Sequence, residues 1–236
     1  MITRVPLPDQ KPNVPTEFFP YIYFRDEIAR LLEAVPLSQI RRRCIIDCGT
    51  LRTLLLFLYG TGIQILDTLA LKWSNVDLQK GTIDLYPGSF YHHRTLPLGT
   101  DVRRLLQRHI VKANDHGDDS RLFQTTSGLP IRYSLFYQTF SRLRALARVS
   151  RRNSAFQPRL QDLRHTFAVH SITSWNQKRD NIEKLLPVLA AYMGNVNDVA
   201  AERYLKLTPS SFWPQLRRLT HVVAPTSPRQ AKEEQR

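Results

Sequence analysis

The residues in this chain that could do chemistry are few, and each also has an ordinary use. Cys44 and Cys48 stand four apart in a stretch that reads as helix, the spacing of half a zinc site, but no second Cys/His pair completes it nearby. The expectation is two small buried thiols in a reducing compartment, with no disulfide and no structural metal. Arg164 has the planar fork that suits a phosphate, yet by itself it reads equally as a salt-bridge partner of Asp162 or Asp67. His165 reads as a structural histidine, and His170, five residues on, is at the wrong spacing to share a metal with it. Tyr204 carries a hydroxyl that can act as a nucleophile, although a helical tyrosine taken alone is usually a packing residue. The runs Arg41-Arg42-Arg43 and Arg151-Arg152 are either solvated charge or contacts to backbone phosphates.

Charge tips that last choice. The 236 residues hold 34 Lys and Arg against 20 Asp and Glu, a net charge of +14, with a pI near 10.2. Such a balance points to a polyanionic partner, most commonly nucleic acid. Hydrophobic residues make up 42%, enough for a folded core, which excludes wholesale disorder. No apolar run approaches the ~20 residues of a membrane span, and Met1-Ile2-Thr3-Arg4-Val5-Pro6 lacks an apolar signal core. An intracellular, cytoplasmic protein is expected.

The elements that must position these residues are mostly helices. Pro6, Pro8, Pro12, Pro15 and Pro20 make residues 1–20 an extended arm. A helix is expected from Phe24 to Pro36, which should end it, and a second from Arg41-Arg42-Arg43 through the apolar run to Tyr59, stopped by Gly60 and Gly62. A third should cover about Leu66–Trp73. Gly81–Tyr86 and Arg94–Leu98 read as two strands joined around Pro87-Gly88. Helices follow over about 101–113, 134–149, 160–175, 181–193 and 197–207, and residues 221–236 read as a disordered tail. Trp73 and Phe167 are assigned to the core. The fold class is mainly α (α+β): one helical domain over residues 21–220 with a small antiparallel hairpin or sheet.

Three separated segments give the site a family context. They are Tyr59-Gly60-Thr61-Gly62-Ile63-Gln64-Ile65-Leu66-Asp67-Thr68-Leu69-Ala70-Leu71-Lys72-Trp73, then Gln161-Asp162-Leu163-Arg164-His165-Thr166-Phe167-Ala168, then Leu189-Ala190-Ala191-Tyr192-Met193-Gly194-Asn195 with Ala201-Glu202-Arg203-Tyr204. In order, and with the hairpin Arg94-Thr95-Leu96-Pro97-Leu98 between them, they resemble the catalytic domain of tyrosine recombinases, the phage-integrase family, over about residues 20–215. The resemblance implies a helical DNA-binding fold and a reaction without metal or nucleotide cofactor. A tyrosine hydroxyl attacks a DNA phosphodiester, leaving a 3′-phosphotyrosyl link and a free 5′-hydroxyl. Two arginines clamp the non-bridging oxygens, a hairpin lysine protonates the leaving oxygen, and two histidines or their substitutes assist.

Against that pattern the resemblance puts Tyr204 at the nucleophile position and Arg164 in the phosphate clamp. The first arginine is replaced by Gln64, the hairpin lysine by Ser89, and the two histidines by Gln161 and Asn195. No lysine lies between Lys80 and Lys112, so His92, His93 or Arg94 would have to compensate at the hairpin. Lys72, Arg151 and Arg152 are expected DNA contacts. Partners implied are double-stranded DNA and other recombinase protomers, with the protein bacterial and nucleoid-associated. Members of the family usually carry an N-terminal DNA-clasping domain; only about 20 residues precede the resemblance here, so that domain is expected to be missing from this sequence. The segment from Leu205 to Pro209 with Phe212-Trp213-Pro214 packs in cis or docks on a neighbouring protomer. The expected function is DNA binding in integration or recombination for a mobile element, with weak or absent strand cleavage. The alternatives are a non-enzymatic assembly partner of an active relative, or an active recombinase with a rebuilt site. Charge alone would also suit a helical RNA-binding protein.

Overall fold

The computed structural model describes residues 20–38, 44–86, 93–112, 117, 119–151, 157–194, 204–205 and 207–208. Nearly all of the expected arm, the Arg41-Arg42-Arg43 run, most of the helix expected over 197–207 and the expected tail lie outside them. Seven helices, a single 3₁₀ turn and a small sheet are present among the described residues.

Helix α1 spans Arg25–Ser38 and buries Ile28, Leu31, Ala34 and Val35, one apolar face at helical spacing. Glu27 in its first turn accepts from the Phe24 amide at 2.9 Å and the Tyr21 hydroxyl at 2.6 Å, which fixes the entry of the chain. Pro36 does not end the helix, contrary to the sequence expectation. A proline leaves the carbonyl four residues earlier without its donor. Here that carbonyl belongs to Leu32, and the Arg52 guanidinium donates to it at 3.3 Å, so the last turn continues.

Helix α2, Cys48–Thr61, is the centre of the core, burying Leu51, Leu54, Leu55, Phe57 and Leu58. It begins at Cys48 rather than in the arginine run because Asp47 caps it, accepting from the amides of Gly49 at 2.8 Å and Thr50 at 3.1 Å. Cys44 therefore lies outside the helix, and the two free cysteines do not share a helix face as expected. Helix α3 is short, Ile65–Ala70. It stops before Trp73 because Leu71 and Lys72 pair with the 121–122 segment: the Leu122 amide donates to the Leu71 carbonyl at 2.8 Å. Trp73–Asn75 then form the 3₁₀ turn, with Trp73 only half-buried.

The sheet is antiparallel in the order β1 (Val76–Asp77), β2 (Thr82–Leu85), β3 (Arg94–Pro97), with Ile83 opposite Leu96 and Leu85 opposite Arg94. β1, of two residues, is too short to announce itself by alternation. Helices α4 (Thr100–Lys112), α5 (Tyr133–Leu146), α6 (Asp162–Lys178) and α7 (Ile182–Met193) complete the fold. α2 packs on α1, α4 and α6, while α1 packs on α5. Leu163 of α6 joins the main core, whereas Ala168, Val169 and Ile172 belong to a smaller cluster with Leu189, Met193 and Tyr204. No helix among the described residues is long and apolar enough to cross a membrane.

Candidate active site

Two helix ends and one helix start meet at Arg164. α2 terminates on Gly62, whose φ of 62° is left-handed and whose α-carbon faces the Phe167 ring so closely that a Cβ would collide with it. α7 terminates the same way on Gly194, φ 70°. Each left-handed cap ends a helix and leaves a carbonyl at the junction. Arg164, in the first turn of α6 and only 5% exposed, donates through Nη1 to the Gly62 carbonyl at 2.5 Å and through Nη2 to the Met193 carbonyl at 2.6 Å. Taken in isolation, Arg164 also suited a salt bridge with Asp162 or Asp67. Asp162 is instead taken by Arg159, accepting from its amide at 2.8 Å and its guanidinium at 2.9 Å. Asp67 acts on Arg164 through charge.

Tyr204, also 5% exposed, lies close enough to Arg164 for its hydroxyl to favour the charged guanidinium. Its ring lies 5.7 Å from that of His165. The residues expected at the nucleophile and clamp positions are thus neighbours. Burial pulls the Arg164 guanidinium below its ordinary pKa and the neighbouring Arg94 charge adds to this, while Tyr204 and Asp67 oppose it.

Arg94 is the side chain whose placement the hairpin pattern left open. It opens β3, with Leu96 on the buried face two residues on. Its guanidinium packs against the Gly194 α-carbon, where any Cβ would collide with it. Nη2 lies 4.0 Å from Asp67 Oδ2, with the two side chains 19% and 14% exposed. Burial raises the Asp67 carboxyl above its usual range, with Arg94 and Arg164 pulling it back. The Tyr192 hydroxyl, deep beside Arg94, is pushed up to about 12 by burial, with Arg94 opposing the rise.

The other expected positions are more dispersed. Gln64, immediately before α3, and Gln161, immediately before α6, line one cleft of about 200 Å³ with Leu66 and Tyr133. His93 is turned along the hairpin, stacked on Tyr86 at 4.6 Å and 3.4 Å from Asp84 Oδ1. Lys72 reaches Asp119 at 2.6 Å in an exposed pair. Arg151 bonds through its backbone to Gln157. Phe167, expected in the core, is half-buried against Gly62 and Tyr192. His170, expected as packing or surface, meets the Tyr59 hydroxyl at 2.9 Å. Ser89, His92, Arg152 and Asn195 lie outside the described residues. Sequence reasoning did not single out Asp67 as a partner of Arg94. The alternation of β3 carried that signal, because it puts Arg94 on the same inward face as Leu96.

A sequence model of the Phage integrase family matches residues 24–186, which contain Gln64, Asp67, Arg94 and Arg164. The chain belongs to the phage integrase family. Among curated relatives, a putative integrase/recombinase, y4rB, of Sinorhizobium fredii is 26% identical over 222 residues, covering 92% of this chain and 71% of that protein. Tyrosine recombinase XerA of Pyrococcus furiosus is 25% identical over 167 residues, 69% of this chain and 51% of that one. The chain thus spans from about half to about seven-tenths of the length of these relatives. Among solved structures, XerA recombinase superposes with a TM-score of 0.61 at 19% identity, over 85% of this chain and 65% of that one. The Tn1549 transposon integrase in complex with a circular intermediate DNA gives 0.60 at 18%, over 86% and 67%. The fold is that of a phage-integrase catalytic domain, helical with a three-stranded antiparallel sheet.

Proposed function

We propose that residues 21–220 form a DNA-binding catalytic domain of the tyrosine-recombinase kind, acting in DNA integration or recombination with strand cleavage weak or absent. Its partners in this reading are double-stranded DNA and further recombinase protomers, and its place is the bacterial cytoplasm, at the nucleoid. The observation that carries the reading is Tyr204 lying beside Arg164, whose fork is held by the ends of α2 and α7. Together they supply a nucleophilic oxygen and a cation for the non-bridging oxygens of one phosphodiester.

The chemistry runs as follows. The Tyr204 oxygen bonds to phosphorus while the bond to the 5′-oxygen breaks, and its proton must leave as a proton arrives on the departing oxygen. Negative charge gathers on the equatorial oxygens, where Arg164 stands. Gln64, at the position of the family's first arginine, gives a neutral hydrogen bond but neither charge nor fork. Each lost oxyanion donor costs about 10²–10³ in rate. Ser89 offers no strong acid to the leaving oxygen, so phosphate binding should outlast phosphate cleavage.

A band-shift titration with duplex DNA, joined to covalent trapping on a nicked suicide duplex, tests both halves. Salt-sensitive binding with little or no protein–DNA adduct is the expected result, and Tyr204→Phe should leave binding unchanged. Rapid, stoichiometric adduct formation would remove the weak-cleavage half, and failure to bind DNA at low salt would remove the whole reading.

A further inference from the structure

We propose that Arg94 supplies the second guanidinium of the phosphate clamp, standing in for the arginine that Gln64 replaces, and that Asp67 is its positioning residue. The proposal rests on the reading of the chain as a DNA-binding recombinase domain.

Arg94 is a half-buried donor set without a hydrogen-bond acceptor. Among the described residues it makes no hydrogen bond, its Nε is fully shielded from solvent, and its single ion pair, to Asp67 at 4.0 Å, is too long for one. A shielded Nε–H left unpaired is costly, and folded proteins retain such donors where something else completes them. Five N–H groups in a rigid fork call for an acceptor with several oxygens, which a phosphodiester has.

The position also fits. Arg94 and Arg164 lie against consecutive residues at the end of α7, Arg94 on the Gly194 α-carbon and Arg164 on the Met193 carbonyl. Two like charges held this close repel, and each acts on the other's surroundings through the shared Asp67. An anion entering beside Tyr204 relieves that repulsion and satisfies Arg94 at the same time. Asp67 sits one turn beyond Gln64 on the α3 segment, so it draws Arg94 toward the place the family arginine would occupy.

The chemistry of the group separates this role from that of the missing hairpin lysine. A guanidinium does not give up its proton near neutral pH, so Arg94 is a poor acid for a leaving alkoxide but a good partner for phosphate oxygens. Arg94 in this role restores the phosphate clamp while the acid for the leaving oxygen stays missing.

The test is a double-mutant cycle in DNA affinity against salt, with one duplex and the full chain. Arg94→Gln should reduce the slope of log K against log salt by about 0.9, the loss of one phosphate contact. Gln64→Arg should restore it in the Arg94→Gln background but add nothing to the wild type, because that phosphate is already held. Strictly additive effects would mean two separate phosphate contacts and overturn the proposal, as would an unchanged slope in Arg94→Gln. If Arg94→Gln fails to fold, Arg94→Lys carries the test. It keeps the charge and loses the fork, so the slope should persist while affinity falls about tenfold or more; equal affinity would overturn the proposal. Asp67→Asn should weaken binding with the slope unchanged, and a wild-type level of binding would remove its positioning role. Wild-type protein that binds no DNA would instead bring down the recombinase reading, and this proposal with it.

Discussion

Arg164 shows how a buried cation becomes affordable. Its fork closes on two helix-terminal carbonyls that would otherwise lack donors, and the helix C-termini supply negative potential as well. In the proposed function, structural and phosphate-binding roles would share this one side chain. Replacing Arg164 by Ala should cost about 2–3 kcal/mol in urea denaturation, since charged hydrogen bonds are lost and the Gly62 and Met193 carbonyls are left unpaired. A loss of DNA affinity with unchanged stability would show that those two bonds hold nothing together. Tyr192 offers a pH prediction of definite sign. Burial holds its hydroxyl protonated up to about 12 against an ordinary value near 10.0, so the folded form keeps a proton that the unfolded chain gives up earlier. That contribution is fully present below pH 10 and is lost as pH rises from 10 through 12. Burial raises Tyr23 in the same direction, and the two should act together. The urea midpoint should fall over this interval, and Tyr192→Phe should flatten part of the fall. An identical profile in the variant would show that Tyr192 is accessible to solvent.

Helix ends carry the architecture of the site more than helix middles do. Gly62 and Gly194 are both left-handed caps, and both are crowded, by Phe167 and by Arg94 respectively. Gly62→Ala combines a left-handed backbone, worth about 1–2 kcal/mol, with displacement of the Phe167 ring. Thermal unfolding should drop by several degrees, at about 2–4 °C per kcal/mol for a chain of this size. The start of α2 depends on one carboxylate, so Asp47→Ala should lose about 1 kcal/mol in the same assay. Near-wild-type melting of either variant would mean the cap is replaceable. The α6 motif is fastened likewise: Thr166 accepts from the Tyr23 amide at 3.0 Å and donates to the Asp162 carbonyl at 2.8 Å, tying the entry of α1 to the helix that carries Arg164.

Across the molecule, two cores of unequal size divide the site between them. The main cluster is built on α2, while Tyr204 belongs to the smaller one formed by α6 and α7. Local opening should follow that division, because smaller buried clusters release at lower free energy. Native-state hydrogen exchange should find the α7 amides opening well before those of α2; equal protection would show the two cores to be one cooperative unit. The charge of +14 acts at this same range. If several phosphates are neutralised together, affinity for duplex DNA should fall steeply between 50 and 200 mM salt, by about 10³ or more for six contacts. A shallow dependence would assign the excess charge to solvation. Lys72 can join such contacts cheaply, since its pair with Asp119 is exposed and therefore weak.

Residue order by itself determined the helical class, the apolar run of α2, the hairpin strands and the three segments that mark the family, because these are local patterns: periods of 3.6 and 2, capping residues and fixed spacings. Folding in three dimensions decided what those patterns could not contain. Pro36 looked like a stop until Arg52, sixteen residues later, supplied the donor its helix lacked. The continuation of α3 to Trp73 was cut short by pairing with a segment some fifty residues away. Arg164, for which a nearby carboxylate was one option, closed on carbonyls 102 and 29 residues distant. Arg94, one of three hairpin candidates, came to rest on Gly194, a hundred residues on, while His93 turned outward. Electrostatic partners are set by distance in space, which the chain acquires only when helix ends from separate segments converge.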